Sequence, residues 1–178
     1  DGVLGDDDVV FILESSAPVK IYPQYILVFH EIVNEELDGE PISITYCPLT
    51  GSAICYKGDI QASETTFGTS GKLLNSNLVM YDRATDSYWP QILGSAINGP
   101  SKGEVLGTTL VSWTLWGLAK AEHPSALVLS ENTGYLRNYG YDPYGSYTED
   151  DSYYQAGGPF FPVMNTDERL PPKEVVVA

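Results

Sequence analysis

Cationic side chains are scarce in this chain: nine lysines and arginines stand against 24 aspartates and glutamates, for a formal net charge of −15. A phosphate backbone and an anionic bilayer surface would both be repelled, so nucleic acid and membrane surfaces are poor partners. Long apolar runs are missing too, and no stretch approaches the ~20 apolar residues that a helix needs to cross a bilayer. Cysteine, methionine and histidine number two each, which confines thiol, thioether and imidazole chemistry to a few positions. No repeat of roughly 20–50 residues stands out, so a solenoid reading has no support. The chain opens on Asp1-Gly2-Val3 without a methionine, and a processed or trimmed chain is expected.

What is present points to strands. The hydrophobic fraction is 43% with only 19% charged residues, enough to bury a core. Thirteen tyrosines, 17 glycines and 12 prolines favour strands joined by turns over long helices. The expected architecture is α+β and β-rich: antiparallel hairpins in a barrel-like or sandwich core with two short helices. A mobile acidic lead-in over 1–8 is expected to precede a single domain over 9–178. Acidity, few lysines and abundant tyrosine suit a secreted, periplasmic or lumenal location.

The central stretch is 29–56, which holds His30 and both cysteines. Ile42, Ile44 and Tyr46 alternate with Ser43, Thr45 and Cys47, the period of a half-buried strand. Pro48 has no N–H to continue a ladder, so the strand stops near Cys47. Thr50-Gly51 supplies a turn and Ala53–Tyr56 returns. With that turn Cys47 faces Ile54 and Cys55 points to the opposite face, a register that disfavours a disulfide.

Upstream, Val9–Leu13 and Val19–Tyr22 read as a hairpin around Ser15–Pro18. Pro23 opens a helix over about 23–33, built on Tyr25, Ile26, Phe29, Ile32 and Val33, which sets His30 and Asn34 on one side. Downstream, Phe67–Leu73 reads as a glycine- and hydroxyl-rich turn whose N–H groups hold an anion or the Cys47 loop. Leu78–Asp82 and Ser87–Trp89 are strands, with short strand candidates at Val105-Leu106 and Thr109–Val111. Ser112 caps a helix over about 113–122 with Trp113, Trp116 and Leu118 inward, ended by His123-Pro124. Leu127–Leu129 is a buried strand, 134–161 an aromatic-rich surface loop, and Val175–Val177 a closing strand.

Several runs together resemble the domain-of-unknown-function family 3179. They are His30–Asn34, Thr45–Ala53, Phe67–Leu73, Leu78–Arg83 with Trp89 and Gln91, Trp113–Pro124, and Gly134-Tyr135 through Tyr139-Gly140. The resemblance spans about Val9 to Val177. It implies no assigned activity, and its often exported bacterial and archaeal members imply an extracytoplasmic location. Many members carry a second cysteine three positions after the first. Here that position is Thr50, so no CxxC pair is available. Cys55 stands where the family has an apolar residue, which implies a buried hydrophobe. The chain also stops where members usually run on, which implies a C-terminal trim.

The sharpest chemical reading is a thiol–imidazole centre. Cys47 is the nucleophile, His30 the activating base, and Asn34 or Glu31 orients the ring. The ordinary alternative is a buried cysteine and a hydrogen-bonded helix histidine. A soft metal such as copper would take His30, Cys47 and Met80, with His123 in reserve, although the compact loop spacing of such sites is missing. Thr50, Gly51, Ser70, Gly71, Tyr81, Asp82 and Trp89 are candidate binding residues around this centre. Asp82, Arg83, Asp86 and Trp89 read either as a polar pocket rim or as a strand-end ion pair. The expected function is an extracytoplasmic domain with a small-molecule or metal site. The competing one is a non-catalytic subunit of a larger assembly, using tyrosines and terminal strands for protein contacts.

Overall fold

The computed structural model describes residues 4–14, 18–60 and 63–176. In chain order its elements are β1 (Val9–Leu13), β2 (Lys20–Pro23), α1 (Gln24–His30), β3 (Ile32–Leu37), β4 (Glu40–Cys47), β5 (Ser52–Lys57), β6 (Asp59–Ile60), β7 (Ser63–Glu64), β8 (Phe67–Leu74), β9 (Asn77–Asp82), β10 (Tyr88–Pro90), β11 (Thr108–Thr109), β12 (Ser112–Leu115), α2 (Trp116–Glu122) and β13 (Leu127–Val128). Three main sheets form, ordered β12-β1-β2-β13, β11-β5-β4-β3 and β10-β9-β8, beside a β6-β7 pair. Only β13 on β2 is parallel among the described residues. Among the described residues no sheet closes on itself, so the fold is a β-rich sandwich with two short helices and not a barrel.

Alternation along the strands stacks the layers. On β1, Val10 and Ile12 face α2 and pack with Ile21 and Ala119. Phe11 and Leu13 face the other way, into a cluster with Tyr22, Leu27, Ile44, Tyr46 and Cys55. The opposite face of the middle sheet sends Cys47 and Tyr56 into a second cluster with Phe67, Met80 and Trp89. The order is therefore α2, first sheet, middle sheet, third sheet, with apolar side chains filling each interval.

Because β4 lies between two layers it is buried on both faces, not one. Ser43 and Thr45 are fully buried, and each hydroxyl finds an acceptor: Ser43 donates to Asn34 Oδ1 at 2.7 Å and Thr45 to the Ile54 carbonyl at 2.8 Å. The turn spans residues 48–51, so Cys47 pairs with Ser52 and not Ile54, and Cys55 pairs with Ile44. Both thiols are free, in different clusters.

The apolar spacing over 25–33 overstates α1, which ends at His30. Glu31 takes a left-handed conformation (φ 58°), and its carbonyl accepts the Tyr46 N–H at 2.7 Å. Ile32, Val33 and Asn34 then pair along β4. Ladder formation with a buried strand outweighs a helical pattern too short to hold itself. Likewise Ser112–Leu115 is a strand on β1, with Trp113 opposite Phe11, and α2 begins only at Trp116. Its first N–H groups are satisfied by carbonyls of the leading residues, Trp116 to Asp8 at 2.8 Å and Gly117 to Asp6 at 2.9 Å. Trp113 and Leu118 are 42% and 63% exposed, and Ala119 is the buried helical residue.

Residues 67–74 form a strand, not a turn. A β-bulge between Thr69 and Lys72 accounts for the glycine and hydroxyls. Leu127 and Val128 are exposed at a sheet edge. Val105 makes only an isolated bridge with Ser95. Residues 134–161 carry no helix or strand, as expected, yet Tyr153 and Tyr154 are buried. Val175 and Val176 are not in a strand, and Val177 lies outside the described residues, as do Ser15–Ala17 of the expected first turn.

Candidate functional site

Cys47 ends β4 pointing into the second cluster. Its side chain is fully buried, and its sulfur accepts the Leu78 N–H at 3.3 Å. His30 closes α1 and meets the Tyr139 hydroxyl at 2.6 Å through Nε2. Tyr135 and Tyr139 flank its ring. Burial, with a smaller push from Arg137, lowers the imidazole pKa, so the neutral ring is favoured. No hydrogen bond joins His30 to Cys47, and their side chains have no partner in common. The thiol is held as a core group, in the environment expected of a structural cysteine. Burial pushes the other thiol, Cys55, up to about 12.

Asn34 does not orient the histidine. It sits in β3, where Nδ2 donates to the Phe67 carbonyl at 2.9 Å and Oδ1 accepts the Phe67 N–H at 2.8 Å. Thr50 and Gly51 form the hairpin turn. Thr50 Oγ1 accepts from Asn77 at 3.0 Å, and Gly51 (φ 56°) brings its backbone under the Tyr147 hydroxyl. Fully buried Gln91 closes the same network by bonding Ser52, Asn77 and Thr45. Asp82 is also fully buried. Its carboxylate accepts from the Thr85 N–H and hydroxyl, the Ser87 N–H and, at 2.9 Å, the Trp89 indole. Arg83 instead bonds Thr66 and the Phe67 carbonyl, so the expected ion pair at this strand end is absent. These residues hold loops in place, and Trp89 is core.

Ser70 and Gly71 shape the bulge: Ser70 Oγ donates to the Val79 carbonyl and accepts the Lys72 N–H at 3.2 Å, while Gly71 takes φ 72°. Tyr81 stands on the outer face of the third sheet. Met80 shares the Cys47 cluster. Among the described residues no group of three or more His, Cys, Asp or Glu is placed to hold a metal. His30 is engaged by the Tyr139 hydroxyl and the Cys47 sulfur by the Leu78 N–H, so each of these two expected copper ligands has another partner here.

The histidine instead backs a different feature. Between residues 7–9, the start of α1 and the 139–148 loop lies a cleft of about 380 Å³. Asp7, Asp8, Glu131 and Asp142 line it, and so do the rings of Tyr25, Tyr139, Tyr141 and Tyr147. Tyr139 is fixed from behind by His30 and by Thr133, the latter at 2.8 Å. At the cleft floor Gln24 donates to Asp142 at 2.9 Å and to Tyr154 at 3.1 Å, and Tyr154 donates to Asp142 at 3.0 Å. Tyr46 and Tyr147 share a 2.7 Å hydroxyl bond. Burial, and then the Glu131 carboxylate, push the Tyr25 phenol up to about 12, so it enters any contact as a neutral group.

The family model described as "Protein of unknown function (DUF3179)" matches residues 1–178. The chain belongs to the DUF3179 family. No curated protein and no solved structure matches it.

In this DUF3179 chain the cleft is one place where polar side chains face solvent. None of the four ion pairs among the described residues uses a cleft carboxylate: they join Lys20 to Glu35, Lys57 to Glu40, Lys120 to Asp6 and Arg169 to Asp167. Sequence reasoning marked the tyrosine-rich segment but missed Gln24, Glu131 and Asp142. Gln24 lies 118 residues from Asp142, and no local pattern reports such a meeting. The one usable signal was acid interleaved with tyrosine over 139–150.

Proposed function

We propose that this DUF3179 chain is an extracytoplasmic binding domain that takes a small cationic ligand in the tyrosine-lined cleft. One observation carries the reading: four carboxylates without ion-pair partners converge with phenol rings, and no lysine or arginine lines the cleft. An ammonium group gains charge-assisted hydrogen bonds from carboxylates and cation–π attraction from the ring faces. The His30–Tyr139–Thr133 chain holds one of those rings. The thiol of Cys47 has no part in this site. Location outside the cytoplasm belongs to the same proposal and is supported by the acidic, lysine-poor, tyrosine-rich composition. Fractionation of source cells tests it.

The ligand class is tested by calorimetric titration with choline and with spermidine. Saturable binding by either is expected, weakened about tenfold or more, some 1.4 kcal/mol, by Glu131→Gln. Heats of dilution alone with both cations overturn the reading.

A second reading, a structural subunit of a larger assembly, is favoured by apolar side chains left in water beyond β13: Leu136 is 97% and Val175 91% exposed. A concentration-dependent mass in light scattering, abolished by removing residues 174–178, would favour it over the monomeric binding domain.

A further inference from the structure

The third sheet has an outer face that the cleft reading does not use. Tyr81 and Tyr88 are direct cross-strand partners. Their neighbours Met80, Asp82 and Trp89 are fully buried, so both tyrosines project outward. Gly68 pairs with Tyr81 from the other side. The Tyr81 ring lies over that glycine, its Cε1 2.6 Å from where a Cβ would stand. The missing side chain lets the ring rest against the strand and not stand off it. Arg83 sits 5.6 Å from the Tyr81 ring centre and Lys72 5.2 Å from that of Tyr88, which limits how far either ring can swing.

Two irregularities converge on the same concavity of about 420 Å³, bordered by Thr69, Ser70, Tyr81, Asp86 and Tyr88. One is the Thr69–Lys72 bulge. Bulges of this kind re-aim side chains beside sites. The other is Asp86, held at φ 56°. Its turn is fixed by the buried Asp82 carboxylate through Thr85 and Ser87. A strained residue persists where the surroundings over-determine it. No hydrogen bond or ion pair among the described residues uses the Asp86 carboxylate. Ser70, by contrast, is already committed to Val79 and Lys72, so it shapes the bulge and leaves ligand contact to its neighbours.

We infer that this face is a saccharide-binding site, independent of the acidic cleft. A pyranose has a C–H face that stacks on a phenol ring and an equatorial rim of hydroxyls. The two rings supply the platform. Asp86 accepts from vicinal hydroxyls, and the Lys72 ammonium donates from the far side. A lipid would find too little apolar lining in a concavity of this composition. A nucleotide would bring phosphate to a chain of net charge −15.

The test is NMR titration of the intact chain with cellohexaose, mannohexaose and chitohexaose. At least one is expected to shift the resonances of Tyr81, Tyr88 and Lys72 saturably. Tyr88→Ala and Asp86→Asn should each weaken binding about tenfold or more, while Tyr88→Phe, which keeps the ring, retains it. Asparagine tolerates the left-handed backbone at position 86, so loss of binding there is not loss of fold, and the thermal midpoint of each variant checks this. Glu131→Gln, in the cleft, should leave sugar binding unchanged, which separates this proposal from the cation reading. Absence of saturable shifts with all three sugars, shifts centred on the cleft, or binding indifferent to both Tyr88→Ala and Asp86→Asn each overturn it.

Discussion

Asn34 and Phe67 meet as two strand residues would, although one of them uses its side chain. The Asn34 amide accepts the Phe67 N–H at 2.8 Å and donates to the Phe67 carbonyl at 2.9 Å. A single carboxamide thus joins the edge strand β3 of the middle sheet to the start of β8 in the third. The same oxygen also takes the buried Ser43 hydroxyl at 2.7 Å.

Asn34→Ala should therefore destabilise the fold more than a surface change does. It leaves the Ser43 hydroxyl and the Phe67 N–H short of partners, while the Phe67 carbonyl keeps its bond from Arg83, at a cost of about 2–3 kcal/mol. The urea midpoint measures it. A loss within ~0.5 kcal/mol of wild type, the range of surface substitutions, would show that water replaces the amide at no cost.

Neither cysteine should react with a thiol reagent in the native state. Both are fully buried. Labelling with a chromogenic disulfide at pH 8 should be released only by unfolding, at a rate that tracks denaturant. Rapid native-state modification of Cys47 would restore the thiol-centre reading that its packing opposes. Cys47→Ala should cost about 1–3 kcal/mol as a cavity in the second cluster.

Stability should carry two opposed pH slopes from neighbouring residues. Burial raises the Glu31 carboxyl to about 7, so the folded state binds that proton more tightly than the unfolded chain does. The contribution is complete below the unfolded value and is lost as pH rises through about 7. It amounts to about 1–3 kcal/mol. His30 is lowered, so its contribution is complete above the ordinary histidine pKa and is lost as pH falls. Urea midpoints between pH 5 and 8 test this: Glu31→Gln should remove the decline toward alkaline pH. An unchanged profile would mean that the carboxylate is solvated after all.

Gly68→Ala should cost about 1–3 kcal/mol, because the new methyl meets the Tyr81 ring at 2.6 Å and the ring must lift. Tyrosine resonances of Tyr81 should move with it. Gly71→Ala, where a Cβ meets nothing within 4 Å but φ is 72°, should show a backbone penalty without the ring shift. Equal ring shifts in both variants would contradict the contact.

The strands of this protein were legible because they are locally encoded. Alternation over 42–47, the stop at Pro48 and the apolar runs at Val9–Leu13 and Leu78–Asp82 each sit within one element, and residue type alone predicts them. Composition likewise pointed to β-rich character. Sequence could not tell that Ile32–Asn34 and Ser112–Leu115 would leave their helical patterns, because what captured them is pairing with β4 and β1. Nor could it tell that Cys47 would pack into the second cluster while His30 bonds Tyr139. Gln24 reaching Asp142, Tyr81 lying on Gly68 and Asn34 bonding Phe67 are all contacts between distant positions. Periodicity reports the face on which a side chain lies. Only the packing of sheet upon sheet decides what waits there, because that depends on the register and stacking of strands far apart in the chain.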